Sequence, residues 1–222
     1  MPPTLWASVR ALIFDLDGTL IDSKRDLILS VNATLHEMKR AELPEETIAS
    51  YIGAGAPMLV ARALGGDSSE EQIRRGLEFF LGYYENHKMD HTKAYPGVAE
   101  ALEALQGYPM AVLTNKPFRI SRRILQELEL ASYFRCIYGG NSFEKKKPDP
   151  LGVNTILREF DVPAREAVLV GDSEVDIQTA RNAGAYAAMV TYGFGMYDPA
   201  AHPADIYLDR LTEIVPLLRN DG

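Results

Sequence analysis

A short apolar run near the start of the chain, Ala11-Leu12-Ile13-Phe14, ends abruptly in Asp15-Leu16-Asp17-Gly18. Four apolar residues followed by acids and a glycine are typical of a buried strand that runs into a turn. A strand without a polar face must be covered on both sides, as strands of parallel sheets are. The feature therefore favours an α/β protein, with two carboxylates at the end of its first strand.

Four later segments repeat this pattern, and amphipathic helical patterns lie between them. Short strands that alternate with helices indicate a Rossmann-like parallel sheet flanked by helices, with right-handed crossovers. The predicted strands span 110–113, 136–138, 167–170 and 187–190, and the predicted helices span 97–105, 120–130, 151–160 and 175–183.

The segment 23–93 differs from the rest because it carries helical patterns and no convincing strand. Its longest helical pattern covers residues 69–87. We interpret it as an all-helical unit inserted after the first strand. The predicted division is a Rossmann-like core of residues 1–22 and 94–222 and a helical insertion of residues 23–93.

Composition excludes several classes of partner. The 222 residues carry a formal net charge of −8, which argues against nucleic acid or an anionic membrane surface as a partner but not against a small anion.

No apolar stretch approaches the length of a membrane helix, and the first ten residues do not resemble a signal peptide. A single cysteine, Cys136, excludes an internal disulfide. These features predict a cytoplasmic protein, a monomer or a homodimer.

The predicted strand ends carry the chemistry, because ligands of open parallel sheets bind there. Asp15 and Asp17 follow the first strand, and Asp172 follows a later one. Carboxylates gathered in a small space repel one another unless a cation lies between them. Mg²⁺ prefers such oxygen ligands, whereas zinc and non-haem iron sites usually include histidine, which these strand ends lack.

Four motifs, in order, resemble those of the haloacid dehalogenase superfamily. They are Asp15-Leu16-Asp17-Gly18-Thr19, Leu113-Thr114-Asn115, Lys147-Pro148, and Gly171-Asp172-Ser173 with Asp176. The segment 23–93 lies where that superfamily inserts its helical cap. The runs Tyr51-Ile52-Gly53-Ala54-Gly55 and Gly139-Gly140-Asn141-Ser142-Phe143 are similar, with less specificity, to the phosphoglycolate phosphatase branch.

The resemblance implies roles for the motif residues in a Mg²⁺-dependent phosphatase. Asp15 would be the nucleophile that forms an aspartyl-phosphate, and Asp17 the acid and base. Asp15, the backbone carbonyl of Asp17, and Asp172 would bind the metal, with Asp176 supporting them. The implied phosphate-binding residues are Thr114, Asn115 and Lys147.

The resemblance also orders the candidate reactions. The dehalogenases lack an acid at the position of Asp17, so hydrolysis of a small phosphate monoester is favoured, with 2-phosphoglycolate first. Pyrophosphate, sugar phosphates and nucleotides remain alternatives, as does a phosphomutase related to β-phosphoglucomutase. A phosphonate hydrolase would need a buried cap lysine, for which Lys24 and Lys39 are the candidates. A non-catalytic protein would usually have lost one of the aspartates.

Several of these residues have simpler interpretations. Thr114-Asn115 and Asp172 are typical helix-capping residues, and Lys146 rivals Lys147 as the lysine of the site. The glycines of Gly53-Ala54-Gly55 indicate either an unusual backbone turn or a loop that faces the substrate. Arg62 is a candidate cation for a substrate carboxylate, although a surface position is at least as plausible.

Overall fold

The computed structural model describes residues 6–195 and 198–218 and has a six-stranded sheet at its centre. All neighbouring strands of this sheet are parallel. The strands are β1 (Ala11–Phe14), β4 (Met110–Leu113), β5 (Cys136–Tyr138), β6 (Ala167–Gly171), β7 (Tyr186–Val190) and β8 (Ile206–Leu208). Their order across the sheet is β5-β4-β1-β6-β7-β8, so the first strand lies near the middle.

The sheet is buried on both faces, as its unbroken apolar strands predict. Leu12 and Phe14 of β1 point into one apolar cluster, whereas Ala11 and Ile13 point into a second cluster on the opposite face. All four residues are 0% exposed. This alternation follows from the two-residue period of a strand, and it confirms the α/β class.

Helices in the described residues connect the strands close to where the sequence predicts them. They are α5 (Val98–Ala104), α6 (Phe118–Glu127), α7 (Leu151–Phe160) and α8 (Glu174–Ala183). A further helix, α9 (Ile214–Leu218), follows the last strand and was not predicted. The edge strand β8 was not predicted. The predicted core also includes residues 1–5, 196–197 and 219–222, which lie outside the described residues.

The inserted segment is helical and leaves the sheet through a small ribbon. Strands β2 (Ile21–Asp22) and β3 (Lys93–Ala94) pair antiparallel, and Ile21 lies opposite Ala94. The outgoing and returning chains therefore run side by side. Between them lie α1 (Lys24–Glu37), α2 (Glu45–Ala49), α3 (Ala56–Leu64) and α4 (Glu70–His87).

A buried carboxylate joins the two ends of this segment. Asp26, in the first turn of α1, is 1% exposed. Its Oδ2 atom accepts hydrogen bonds from the backbone N–H groups of His91 and Thr92 at 3.0 and 2.8 Å, and from Thr92 Oγ1 at 2.7 Å. One side chain thus holds the returning strand against the helix that starts the insertion.

We expect Asp26→Ala to lower the free energy of unfolding by roughly 2–4 kcal/mol, because it leaves buried N–H groups without their acceptor. Urea denaturation followed by circular dichroism measures the change. The matched control is Asp90→Ala, because Asp90 is exposed and its carboxylate pairs with the ring of His87 at the surface. The control should change stability by less than about 0.5 kcal/mol. An equal loss in both variants would contradict a special role for Asp26.

Among the helices of the described residues, none combines the length and the apolar character that a bilayer crossing requires.

Candidate active site

Asp15 follows the last residue of β1 and lies at the carboxyl edge of the sheet. The neighbouring strands are in register with β1, with Phe14 opposite both Val112 and Val170. The residues that follow β4 and β6 therefore reach the same edge as Asp15. Asp15 is 7% exposed, and its Oδ1 atom lies 2.9 Å from Lys147 Nζ. The structure thus brings the first, third and fourth sequence motifs together.

Lys147, rather than its rival Lys146, lies in this cluster. Its ammonium is 2.5 Å from Asp176 Oδ1, and its side chain is 3% exposed. Burial opposes the charge of Lys147, but Asp15 and Asp176 together raise its pKa above the ordinary value. Lys145 and Lys146 are exposed, and Lys145 pairs with Asp149. The lysine run therefore contributes one buried cation.

Three buried carboxylates converge at this edge. Oxygen atoms of Asp15, Asp172 and Asp176 lie within 4.8 Å of one another. Burial raises the pKa of Asp15 to about 6, although Lys147 opposes the shift. Burial also raises the pKa of Asp172 well above its ordinary value, and the charges of Asp176 and Asp15 add to the effect. The cluster is therefore costly to ionise without a further cation.

Two glycines and two backbone N–H groups lie close to the carboxylate of Asp172. A Cβ atom at Gly18 would lie 2.0 Å from Asp172 Oδ2, and one at Gly193 would lie 2.5 Å from the same oxygen. The N–H groups of Phe194 and Gly195 donate to that oxygen at 3.0 and 2.8 Å. Glycine is thus required where these loops approach the carboxylate, and Asp172 is held in one orientation.

The simpler interpretation of Asp172 as a helix cap does not hold. The N-cap residue of α8 is Ser173, which forms a capping box with Asp176. Asp176 Oδ2 accepts from Ser173 N at 3.1 Å and from Ser173 Oγ at 2.6 Å. Asp176 therefore caps the helix with one oxygen and contacts Lys147 with the other.

The Asp17 carboxylate has other partners than the acidic cluster has. Its carboxylate accepts from Ser23 Oγ at 2.5 Å and lies 2.9 and 3.1 Å from Lys116 Nζ. Lys116 also donates to Tyr84 Oη at 2.6 Å. The sequence analysis did not single out Lys116 or Tyr84. The available signal for Lys116 was its position directly after Thr114-Asn115, as a third polar residue at that strand end.

Thr114 and Asn115 are both buried and do not cap the helix that follows. The amide of Asn115 donates to Gly53 O at 3.0 Å and to Lys147 O at 3.2 Å. Its oxygen accepts from Lys147 N at 3.1 Å. Asn115 therefore links the motif lysine and the inserted segment to β4, and its side chain is occupied in doing so.

Gly53-Ala54-Gly55 forms an unusual backbone turn, as one of its two interpretations predicts. Gly53 and Gly55 have φ angles of +110° and +87°, which favour glycine. A Cβ at Gly55 would also lie 2.9 Å from Asn115 O. The loop therefore needs glycine for its turn and packs directly against the site. Arg62 is exposed and does not line the cleft described next.

A cleft of about 40 Å³ separates the strand ends from the inserted helices. Asp15 and Asp17 form part of its floor, while Lys116 and Tyr84 contribute polar atoms beside them. The rest of the wall is largely apolar and includes Leu27, Ile52, Leu59, Phe80 and Ile120. Asp15 and Asp17 thus line the same small cleft.

The acidic cluster fits a hard divalent cation. All of its ligand atoms are carboxylate oxygens, which is the chemistry that Mg²⁺ prefers. With three carboxylates against the single ammonium of Lys147, two negative charges remain unbalanced when all groups are ionised. Asp15 Oδ1 also accepts no hydrogen bond within the described residues, despite its ion pair with Lys147.

We expect saturating Mg²⁺ to raise the melting temperature by roughly 5–10 °C, with a larger increase at pH 7 than at pH 5. The raised pKa values of Asp15 and Asp172 mean that the metal-free fold retains their protons more readily than the unfolded chain. These groups therefore stabilise the metal-free fold less as pH rises through about 6. Mg²⁺ binding needs the ionised carboxylates, so the affinity for Mg²⁺ increases over the same pH interval.

Thermal denaturation with and without Mg²⁺ at the two pH values measures this effect. Asp172→Asn should abolish the increase, and it should not lower the metal-free melting temperature at pH 7 because it removes a repelling charge. An unchanged Mg²⁺ effect in this variant would contradict the assignment.

Comparison with known proteins agrees with this geometry. Residues 12–190 match the family model described as haloacid dehalogenase-like hydrolase. A phosphoglycolate phosphatase of Pseudomonas savastanoi pv. phaseolicola is 40% identical over 216 residues, covering 93% of this chain and 79% of that protein. One from Nitrosospira multiformis is 39% identical over 216 residues, covering 95% and 92%.

A solved structure has the same fold along almost its whole length. A predicted phosphoglycolate phosphatase from Haemophilus somnus 129PT superposes with a TM-score of 0.90 and 32% identity, covering 96% of this chain and 99% of that one. The family match spans β1 to β7 and contains all four motifs. The chain belongs to the haloacid dehalogenase-like hydrolase family and is a hydrolase.

Proposed function

We propose that this protein hydrolyses small phosphate monoesters with Mg²⁺ and an aspartyl-phosphate intermediate, and that 2-phosphoglycolate is its main substrate. The observation that carries the proposal is the position of Asp15, which lines the cleft, contacts Lys147 and lies beside two further carboxylates. The name phosphoglycolate phosphatase, borne by relatives at 39–40% identity, supports the choice of substrate.

In the first step, a carboxylate oxygen of Asp15 attacks phosphorus and the bond to the ester oxygen breaks. Asp17 gives its proton to that oxygen, so that an alcohol leaves. In the second step, Asp17 takes a proton from water, whose oxygen attacks the phosphoryl group and frees Asp15. The separation of the two aspartates supports this division, because Asp15 contacts Lys147 whereas Asp17 contacts Ser23 and Lys116.

Lys147 and Thr114 would hold the phosphoryl oxygens, and both are buried beside the nucleophile. A preorganised ammonium neutralises charge that develops on these oxygens, at little cost in reorganisation. We assign Asn115 to positioning this group, since its side chain bonds the backbone of Lys147. It would reach the phosphate through Lys147 rather than by direct contact.

Asp15, Asp172 and the backbone carbonyl of Asp17 would hold Mg²⁺, with Asp176 behind them. When bound, the ion supplies positive charge that offsets the carboxylates and the phosphoryl oxygens. The capping contacts of Asp176 support its place behind the ligands, because its two oxygens already contact Ser173 and Lys147.

We further propose that residues 23–93 act as a cap over a core of residues 1–22 and 94–222. The cleft between the two parts is lined by both, with Gly53 and Tyr84 from the helical segment facing Asp15 and Lys116. A cap that closes over the site excludes water from the reacting groups and admits only small substrates.

The test is phosphate release from a panel of esters, with and without Mg²⁺. The panel contains 2-phosphoglycolate, pyrophosphate, several sugar phosphates and nucleotide monophosphates. We expect Mg²⁺-dependent release that is fastest with 2-phosphoglycolate. Preference for another ester would replace the substrate but not the reaction. If no ester released phosphate, the phosphatase proposal would fail, and phosphoryl exchange with a bisphosphate activator would then be measured.

A further inference from the structure

Lys116 is a buried cation to which the proposed reaction gives no task. Its side chain is 3% exposed, and it lines the cleft beside Asp17. Burial opposes its charge, but Asp17 and Tyr84 raise the pKa of Lys116 above the ordinary value, so it is an ammonium. Burying an ammonium is costly, and Ser23 already donates a hydrogen bond that positions Asp17. The position of Lys116 therefore needs a further reason.

Asp17 relates the position of the Lys116 ammonium to that of the substrate's leaving group. The ester oxygen that receives the proton must lie within hydrogen-bond distance of the Asp17 carboxyl group. Lys116 Nζ lies 2.9 and 3.1 Å from the two oxygens of that group. A substituent attached to the first carbon of the leaving alcohol is therefore within reach of Lys116.

Tyr84 supplies a second donor at the same place. Its hydroxyl accepts a hydrogen bond from Lys116 at 2.6 Å, which leaves its own proton to donate to an anion. Burial raises the pKa of Tyr84 to about 12, so the hydroxyl keeps that proton. Tyr84 belongs to α4 of the inserted segment, whereas Lys116 follows β4. The two donors thus meet across the cleft.

The surroundings strengthen the attraction of this pair for an anion. Leu27, Phe80 and Ile120 line the neighbouring wall, and charges attract one another more strongly beside such apolar groups than in water. A substrate carboxylate in this part of the cleft would contact both the ammonium of Lys116 and the hydroxyl of Tyr84.

We propose that Lys116 and Tyr84 form a carboxylate subsite that selects phosphate monoesters whose alcohol carries a carboxylate on the carbon next to the ester oxygen. The proposal rests on the phosphatase function proposed above and explains its substrate preference by two named donors. It makes Lys116 the cation that binds a substrate carboxylate, a role for which the sequence analysis named Arg62 as a candidate.

The experiment compares 2-phosphoglycolate with 2-hydroxyethyl phosphate, which has the same length but a neutral hydroxymethyl group in place of the carboxylate. The readout is the ratio of kcat/KM for the two esters. A disturbance of Asp17 affects both esters and cancels in this ratio, whereas loss of carboxylate binding does not. We expect Lys116→Met to lower the ratio by at least about 30-fold, as for loss of one partner of a buried charge pair.

Matched variants separate this role from a structural one. Lys145→Met removes an exposed lysine, and Tyr83→Phe removes the hydroxyl of a half-buried tyrosine on the same helix as Tyr84. Neither residue lines the cleft, and neither variant should change the ratio. Tyr84→Phe should lower it several-fold, and Lys116→Arg should retain more of it than Lys116→Met. If Lys116→Met fails to fold in circular dichroism, Tyr84→Phe and Lys116→Arg carry the test.

The results that would overturn the carboxylate subsite differ from those that would overturn the proposed phosphatase function. An unchanged ratio in Lys116→Met and Tyr84→Phe would overturn the subsite, because both residues would then act on the two esters alike. Wild-type protein that hydrolyses both esters equally would also overturn the subsite while leaving a phosphatase. Absence of phosphate release from every ester would overturn the function itself.

Discussion

Phosphate release from 2-phosphoglycolate should fall by roughly 10⁴-fold or more when Asp15 is replaced by Asn. The amide nitrogen and oxygen of Asn cannot replace the carboxylate as the attacking group, so the proposed covalent route closes. The nearest carboxylates do not substitute for it, because Asp172 is held by backbone N–H groups and Asp176 caps α8. Steady-state phosphate release under saturating Mg²⁺ measures the loss.

A control for this substitution is Asp161→Asn. Asp161 is exposed at the end of α7 and has a φ angle of +54°, a conformation that asparagine tolerates well. This variant should retain wild-type activity. Residual activity of Asp15→Asn above about one per cent of wild type would remove Asp15 from the role of nucleophile.

The second large effect is expected from Asp17→Asn, and its size should depend on the leaving group. An alkoxide leaves poorly without a proton, so hydrolysis of 2-phosphoglycolate should fall by roughly 10²–10⁴-fold. Acetyl phosphate releases acetate, which needs no proton, so formation of the aspartyl-phosphate should be affected far less with this small ester. Rapid-quench measurement of the first turnover isolates that step from the later attack of water.

Asp22→Asn provides the comparison for Asp17. Asp22 is a half-buried acid close to Asp17 in the sequence, and it does not line the cleft. Asp22→Asn should affect the first-turnover rates of the two esters alike. Equal losses of first-turnover rate for both esters in Asp17→Asn would contradict the role of Asp17 as proton donor and indicate that it only maintains the local structure.

The main features of the fold are predictable because each strand carries its own signal. β1, β4 and β5 have the predicted bounds, and α7 does as well. β8 was missed because its three residues lie between the acids Asp205 and Asp209, where an apolar run is too short to stand out. The ribbon of β2 and β3 was missed for a similar reason, since its strands have two residues each.

The site is predictable to the extent that its residues follow strands. Asp15, Thr114 and Asp172 come together because parallel strands in register end at one edge. Lys116 and Tyr84 meet only through packing of the helical segment on the core, and no local pattern indicates a contact between positions 32 residues apart. Asp26 was missed because an acid in the first turn of a helix is ordinary, and its acceptor role depends on residues 65 and 66 positions away.

The side-by-side ribbon of β2 and β3 has a consequence for how such a protein can diversify. Since Ile21 lies opposite Ala94, the two ends of the inserted segment are neighbours in space. If the segment were removed, a short turn would join these two points of the chain at small entropic cost. The strands that precede Asp15 and Asp172 pair with each other and not with the segment between these points. Exchange of that segment would therefore change the wall of the cleft while the pairing of these strands is kept.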